Sequence, residues 1–416
     1  MEHVGKWAAG LAVAALLAGG SAGIWLGEDS GTAAAAGAVA VEAAAANVEL
    51  QDIAGHWAET AIRGAVGKRY VDGYQDGSFL PDRQISRAEF VKMAAAALKL
   101  SVAENAGGSD WFQVYVNAAV GAGVHQWSDF TSGDWNTPMK RFEMARMAVR
   151  ATGQDTEDDL EWMYLATKAG LIQGVDATGS LDVDGTTTRA QAVTIIERIL
   201  AVKDGRGEEI AAQADKHAVN RAAVLWRKTN IFEVMPQYFG KLHPSSKWDP
   251  DDLFIESDDG LYRAELDAIL AIDLEDPDAP FQEELPPVET LKWYNYETAA
   301  SSPYLTKGMA AYLVYFKGRT VFNKDEHIYY TPLGDFAYVS VLGAVTDDLE
   351  ARSAGNLVGL SKVFKNKSGD MPISILPKKM KTKERISLEL YTPSIPGNKQ
   401  YTKQILWALT PEWIGQ

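Results

Sequence analysis

The 416-residue chain contains no cysteine, which excludes disulfide staples, thiolate metal sites and cysteine nucleophiles. Histidine is scarce too. His3, His56, His125, His217, His243 and His327 include no pair three or four residues apart, so no helix presents two imidazoles to a zinc ion. The Asp-rich stretches 72–82 and 176–184 lack the ligand order and closing Glu of an EF-hand loop, and Asp-Gly turns explain them instead. The Gly-x-Ser-x-Gly run at 19–23 lies inside the uncharged N-terminal stretch, not at a strand-to-helix elbow, and no phosphate-cradling Gly-Lys-Ser/Thr loop occurs. No metal, no cofactor and no catalytic residue is therefore assigned. Basic residues are the minority, 40 against 56 acidic, for a net charge of −16, which speaks against nucleic acid as a partner.

Long apolar runs are equally rare. The uncharged stretch 7–27 follows Lys6 and approaches the roughly 20 residues that span a bilayer. Gly19, Gly20, Ser21 and Gly23 interrupt it, and an Ala-rich tract with small-x-small sites follows at 32–46. We read residues 1–46 as a secretory signal and Ala-rich tract, cleaved near Ala46, leaving no stable membrane span. The competing reading is an uncleaved anchor. A lipidated N-terminus at a bacterial-type lipobox requires the missing cysteine.

What the chain does have is an internal repeat. Trp57, Trp111 and Trp162 each begin a helical apolar pattern, glycines follow, and a short cluster then opens a second helix. The clusters are Ser86-Arg87-Ala88-Glu89, Lys140-Arg141-Phe142-Glu143 and Thr188-Arg189-Ala190-Gln191. Trp57 to Arg87 and Trp111 to Arg141 are both 30 residues, and Trp162 to Arg189 is 27. Repetition at this period predicts helix-loop-helix units that bury their apolar faces against one another. Three units are expected, at 48–101, 102–153 and 154–202.

Ser86 with Glu89 is a capping box, and Thr188 with Gln191 is its amide counterpart. The arginines need another account, because a cation in the first helical turn opposes the helix dipole at about 0.3–1 kcal/mol. One offsetting partner is an internal carboxylate, with Asp52, Asp110, Asp159 and Glu161 at hand just before the tryptophans. The other is an external anion received by a guanidinium beside free helix amides. The tryptophans share the duality: core residues by default, but also platforms for a sugar ring.

The first repeat, with Gly55-His56-Trp57, Gly73-Tyr74-Gln75-Asp76-Gly77-Ser78-Phe79-Leu80-Pro81 and Ile85-Ser86-Arg87-Ala88-Glu89-Phe90, resembles an S-layer homology motif. Residues 115–119 with 138–147 resemble a second copy, and 166–172 with 188–191 a third. The resemblance implies a pseudo-threefold, mainly α module whose grooves bind secondary cell-wall polysaccharide of a Gram-positive-type envelope, often through a pyruvylated terminal sugar. It implies Arg87, Arg141 and Arg189 as ligand-binding arginines, Glu89 and Glu143 as the motif acids, and Trp57 and Trp111 as further ligand-binding residues. Gln191, Lys140 and Phe142 depart from the motif, so unequal grooves are expected, with the Arg87 groove the nearest to the pattern. A secreted protein held at the cell wall or S-layer is the implied function.

Residues 203–209 are Gly-rich and charged, as a linker would be, and a helix is expected over 208–228. Beyond it, aromatic and β-branched runs at 311–316, 320–322, 328–330, 336–341 and 386–391 predict strands, making 203–416 an α+β, strand-rich domain. Acid pairs such as Glu256 with Asp258 and Asp259, or Glu283 with Glu284, supply the groups that glycoside cleavage needs. A wall-tethered glycoside hydrolase with its carboxylates in 210–416 is thus the alternative function. The basic run 378–385 is expected to be a solvated strand edge.

Overall fold

The computed structural model describes residues 50–104, 107–130, 134–239, 248–294, 302–330, 336–345, 356–357, 359–367, 370–379, 381–393 and 401–409. The expected leader at 1–46 lies outside them. Helices come first: α1 (Glu59–Gly67), α2 (Arg87–Ala97), α3 (Gln113–Gly121), α4 (Arg141–Ala151), α5 (Glu161–Lys168) and α6 (Arg189–Ala201). They form three successive pairs, one per repeat. The second helix of each pair starts at the repeated arginine. Ser86 Oγ accepts from Glu89 N at 3.2 Å while Glu89 Oε2 accepts from Ser86 N at 2.9 Å, and Thr188 with Gln191 does the same. Lys140 has no acceptor oxygen, so α4 keeps only half a box, Lys140 N donating to Glu143 Oε2 at 3.1 Å.

These helices share one apolar core. Ile53, Ile62, Phe90, Met144, Met147, Trp162 and Ile196 are essentially buried in it, as the 3.6-residue spacing of apolar positions requires. The expected linker is instead helical: a π-turn at Val202–Arg206, with Gly205 at φ 84°, runs directly into α7 (Gly207–Ala211). The single helix expected over 208–228 is two. Asp215 accepts from the His217 and Ala218 amides and so starts α8 (Lys216–Arg227) afresh.

The seam between the third repeat and α8 is tight. Gly179 lies at φ +73°, and a Cβ there would sit 2.4 Å from Ala218 N. Gly170, at φ +71°, would place one 2.2 Å from Ile210 O. Only glycine meets both demands. Ala218 and Ala222 of α8 belong to the helical core, Tyr164 packs on Trp226 at 4.9 Å, and Trp226 donates to Asp158 at 2.8 Å.

After α9 (Ile231–Val234) and α10 (Pro236–Phe239) the chain is strand-rich: β1 (Phe254–Glu256), β2 (Tyr262–Asp273), β3 (Lys292–Trp293), β4 (Ala311–Asn323), β5 (Tyr338–Val345), β6 (Ser361–Phe364), β7 (Ile373–Pro377), β8 (Lys381–Tyr391) and β9 (Lys403–Leu409). An antiparallel sheet of order β1-β2-β4-β7-β6-β3 and a second of order β5-β8-β9 result. The larger sheet is covered on both faces. Ile269, Ala271, Tyr312, Val314 and Leu376 enter one core with Val339, Leu388 and Trp407 of the smaller sheet, while Leu270, Ile272, Leu313 and Ile375 enter another. That alternation explains why 268–272 is apolar without a break.

The expected strands at 311–316 and 320–322 are one strand, β4, while 336–341 overlaps β5 and 386–391 lies in β8. The expectation at 328–330 is corrected: this is a turn, where Asp325 accepts from the His327 and Ile328 amides. In the basic run, Lys378 is tied to Asp273 and Glu275. Lys381 and Thr382 pair with Val345 and Ala344 of β5, while β9 pairs β8 only from Ile386 onward, so among the described residues the basic part of β8 has no partner strand on its β9 side.

Candidate functional site

The three Arg clusters meet through backbone hydrogen bonds that pass from repeat to repeat and close on themselves. Ile85 N donates to Thr187 O, Thr187 N to Met139 O, and Met139 N to Ile85 O, each at 2.9 Å. Further out, Arg87 N donates to Thr137 O, Arg141 N to Gly185 O and Arg189 N to Arg83 O, at 2.9–3.1 Å. Each arginine therefore leaves its own helix and enters the loop of the following repeat, the third passing to the first. Helix amides that are ordinarily orphaned are satisfied this way, and every guanidinium is placed between two repeats.

All three arginines are buried, at 4–6% exposure, yet their surroundings differ. Arg87 makes a two-point ion pair with Glu143, Nε to Oε2 at 3.1 Å and Nη2 to Oε1, and its guanidinium lies 4.7 Å from the Phe130 ring. In this place the tryptophan is closed over: Trp162 is 2% exposed beneath Arg150, whose guanidinium is 4.5 Å from its ring. Arg150 bonds Asp129 at 2.6 Å. Burial alone would raise the Asp129 pKa, but bonds from His125, Arg150 and the Gln126 amide hold it below the ordinary carboxylate range.

Arg189 donates to Phe79 O at 3.0 Å and Asp72 O at 3.2 Å, under the rings of Phe79 and Tyr74. Burial lowers its pKa, and the nearby Tyr74 and Glu89 work in the opposite sense. Trp111 is half-buried, with Lys92 Nζ 5.6 Å from its ring. Glu89 caps Ser86 and reaches Arg83 at 3.4 Å.

Arg141 is different. Its Nε donates to Leu181 O at 2.8 Å and Nη2 to Gln173 O at 2.7 Å, and the side chain lines a groove of about 290 Å³ bounded by Trp57, 172–175, Gln191, Thr194, Ile195 and Arg198. No carboxylate is among those lining residues. Trp57 is 64% exposed at the rim. Arg198 donates to Leu171 O at 3.1 Å. Burial lowers the pKa of both guanidiniums, opposed at Arg141 by the more distant Asp182. Two desolvated cations beside an open indole, in a chain of net charge −16, form a local positive site suited to an anion with an apolar face.

The expected site residues are thus distributed. Trp57 and Arg141 share the open groove, Arg87 pairs with Glu143, Glu89 lies near Arg189, and Trp111 packs with Tyr115 and Lys92. Sequence reasoning did not single out Arg198, Gln173 or Thr194. A signal for Arg198 existed: it stands nine residues after Arg189, as Arg150 stands nine after Arg141. The internal-carboxylate account of the arginines holds for Arg87, but through Glu143. Asp52 is engaged elsewhere, accepting from the Phe79 and Leu80 amides at 2.8 and 2.7 Å.

In the strand-rich part, the acids considered for hydrolysis are mostly tied to cations or turns. Glu256 pairs with Arg263 at 2.9 Å, Glu283 with Arg221 at 2.5 Å and Glu284 with Lys317 at 2.8 Å. Asp259 accepts from Ser257 and Tyr329, whereas Asp258 is exposed. Among the described residues no helix is long and apolar enough to cross a membrane.

Comparison with known proteins falls on the same region. Residues 50–91 match the model of the S-layer homology domain. The chain therefore carries an S-layer homology domain. A cellulosome-anchoring protein of Acetivibrio thermocellus is 43% identical over 12% of this chain and 11% of its own length. An amylopullulanase of Thermoanaerobacterium thermosulfurigenes is 26% identical over 36% of this chain and 9% of its own, and exoglucanase XynX of A. thermocellus is 26% identical over 37% and 16%. The chain thus spans less than a fifth of the length of these relatives. The matched S-layer homology domain contains Trp57, Arg87 and Glu89, and the turn just before its α1 supplies the indole at the rim of the open groove.

Proposed function

We propose that this is a secreted protein held non-covalently at the bacterial cell wall, with residues 48–202 as the binding module and 203–416 as the part displayed. The groove of Trp57, Arg141 and Arg198 receives an anionic secondary cell-wall polysaccharide whose terminal sugar carries a carboxylate, a pyruvate ketal being the fitting group. The carrying observation is that the buried guanidinium of Arg141, the half-buried one of Arg198 and an exposed indole line one open groove free of acidic side chains. The carboxylate lies against the guanidiniums as a charge-assisted pair, and the apolar face of the ring lies on Trp57. Repeat-to-repeat hydrogen bonding that closes on itself supports a pseudo-threefold module, and the match to an anchoring protein supports the cell-surface setting.

The test is retention of the full chain on sacculi whose secondary polymer is pyruvylated, compared with the same sacculi after the secondary polymer is extracted and the peptidoglycan left. Retention on the first and loss on the second is expected, with binding weakening as salt rises. Equal retention on stripped sacculi would contradict the proposal.

A further inference from the structure

The repeats carry different residues at the third position of their second helix, and this position faces the arginine of the preceding repeat. Glu143 stands there for Arg87, Gln191 for Arg141 and Glu89 for Arg189. At Arg87 the acid forms a buried two-point pair, the geometry an arginine offers to a ligand carboxylate. At Arg189 burial lowers the arginine's pKa, and the acid, paired loosely with Arg83 instead, is near enough to oppose that shift. At Arg141 the residue is a neutral amide. Gln191 still caps its helix, its Oε1 accepting from Thr188 N at 3.0 Å, but contributes no charge to the groove.

We infer that residue 191 decides where this chain binds an anion. Glu143 acts at Arg87 as a built-in substitute for a ligand carboxylate and closes that position. Gln191 leaves Arg141 and Arg198 to an external one. Of the two arginines compared directly, Arg87 is closed by its own carboxylate and Arg141 is open, and the ligand class at Arg141 is a saccharide bearing a carboxylate. The departure of repeat three from the repeated acid is thereby the feature that creates the site. The inference rests on the wall-binding proposal for the identity of the ligand, but the electrostatic claim stands separately.

The experiment compares the full chain with Gln191→Glu. The substituted carboxylate retains the acceptor that caps Thr188 N, so the helix start is preserved, and it faces Arg141 as Glu143 faces Arg87. Affinity for pyruvylated sacculi is expected to fall about tenfold or more. Thermal melts supply a second readout. A new pair depresses the carboxyl pKa in the folded state, so the variant gains stability above the unfolded-state Glu pKa of about 4.3 and loses the gain as pH falls through the depressed value. Its melting temperature should therefore exceed the parent's at pH 7 and converge with it in strong acid.

A third readout does not depend on sacculi. Sodium pyruvate, at ionic strength matched with chloride, should raise the melting temperature of the parent by linkage and leave that of the variant unmoved. Parent and variant binding sacculi equally would overturn the inference while leaving wall binding intact. Failure of both to bind sacculi, with a pyruvate shift confined to the parent, would overturn wall binding and leave the inference. No pyruvate shift in the parent, or no pH-dependent gain in the variant, would overturn the inference itself.

Discussion

Glu143→Ala lowers the stability of the chain by about 3–5 kcal/mol, the cost of stranding a buried guanidinium without its carboxylate. Arg87 and Glu143 have side chains only 5% and 8% exposed, so water cannot replace the lost partner. The same truncation removes the acceptor for Lys140 N, and Arg87 bridges two repeats, so the loss is felt in the shared core and not in one helix. Glu89→Ala is the control. Glu89 is more exposed and pairs only loosely with Arg83, so its loss costs about 1 kcal/mol of capping. Urea unfolding of the two variants at neutral pH measures the difference. Equal midpoints would show that the Arg87–Glu143 pair has no special weight.

Trp57→Ala has its large effect on binding rather than stability. The indole is 64% exposed and rests against little besides the His56 ring, 5.3 Å away, so the unfolding midpoint should stay close to that of the parent. A tryptophan that supplies the stacking face for a ligand ring is worth about 2 kcal/mol on truncation, roughly a 30-fold loss of affinity. Trp111→Ala, beside Lys92 and half-buried, should lose stability and leave wall affinity within a few-fold. Sacculus-binding isotherms for the pair separate the two roles. A larger affinity loss from Trp111→Ala would place the ligand at Trp111 and not in the Trp57 groove.

Much of the helical half could be read from the residues. The 3.6-residue apolar period fixed the helix pairs, and Ser86 with Glu89 and Thr188 with Gln191 marked where second helices begin. The arginines stood out because a cation in the first turn needs compensation. Their partners were less legible, since Arg87 and Glu143 are 56 positions apart and belong to different repeats. Nearby acids such as Asp52 looked suitable by proximity in sequence but were taken by backbone amides. Trp57 and Trp162 are equivalent in the repeat, yet one is open and the other covered, because Arg150 lies over Trp162 and α8 packs on α5.

The strand-rich half was read less completely. β2 carries an unbroken apolar run at 268–272, a pattern shared by buried strands and helices, and only the two cores on either face of the sheet decide between them. The expected linker misled for a similar reason. Glycines and charges at 203–209 are permissive of a loop, but Gly205 at φ 84° here lets a helix turn tightly and continue. Gly170 and Gly179, which read as loop glycines, are where α7 and α8 come closest to the third repeat.

The account turns on which groove receives the wall sugar, and a crystal structure of the chain soaked with a pyruvylated wall-polymer fragment decides it. The expected result is a fragment with its ring on Trp57 and its carboxylate against Arg141 and Arg198, with the Arg87–Glu143 pair unbroken. A fragment seated at Arg87 with Glu143 displaced, or an empty Trp57 groove beside an occupied one at Arg189, would contradict it.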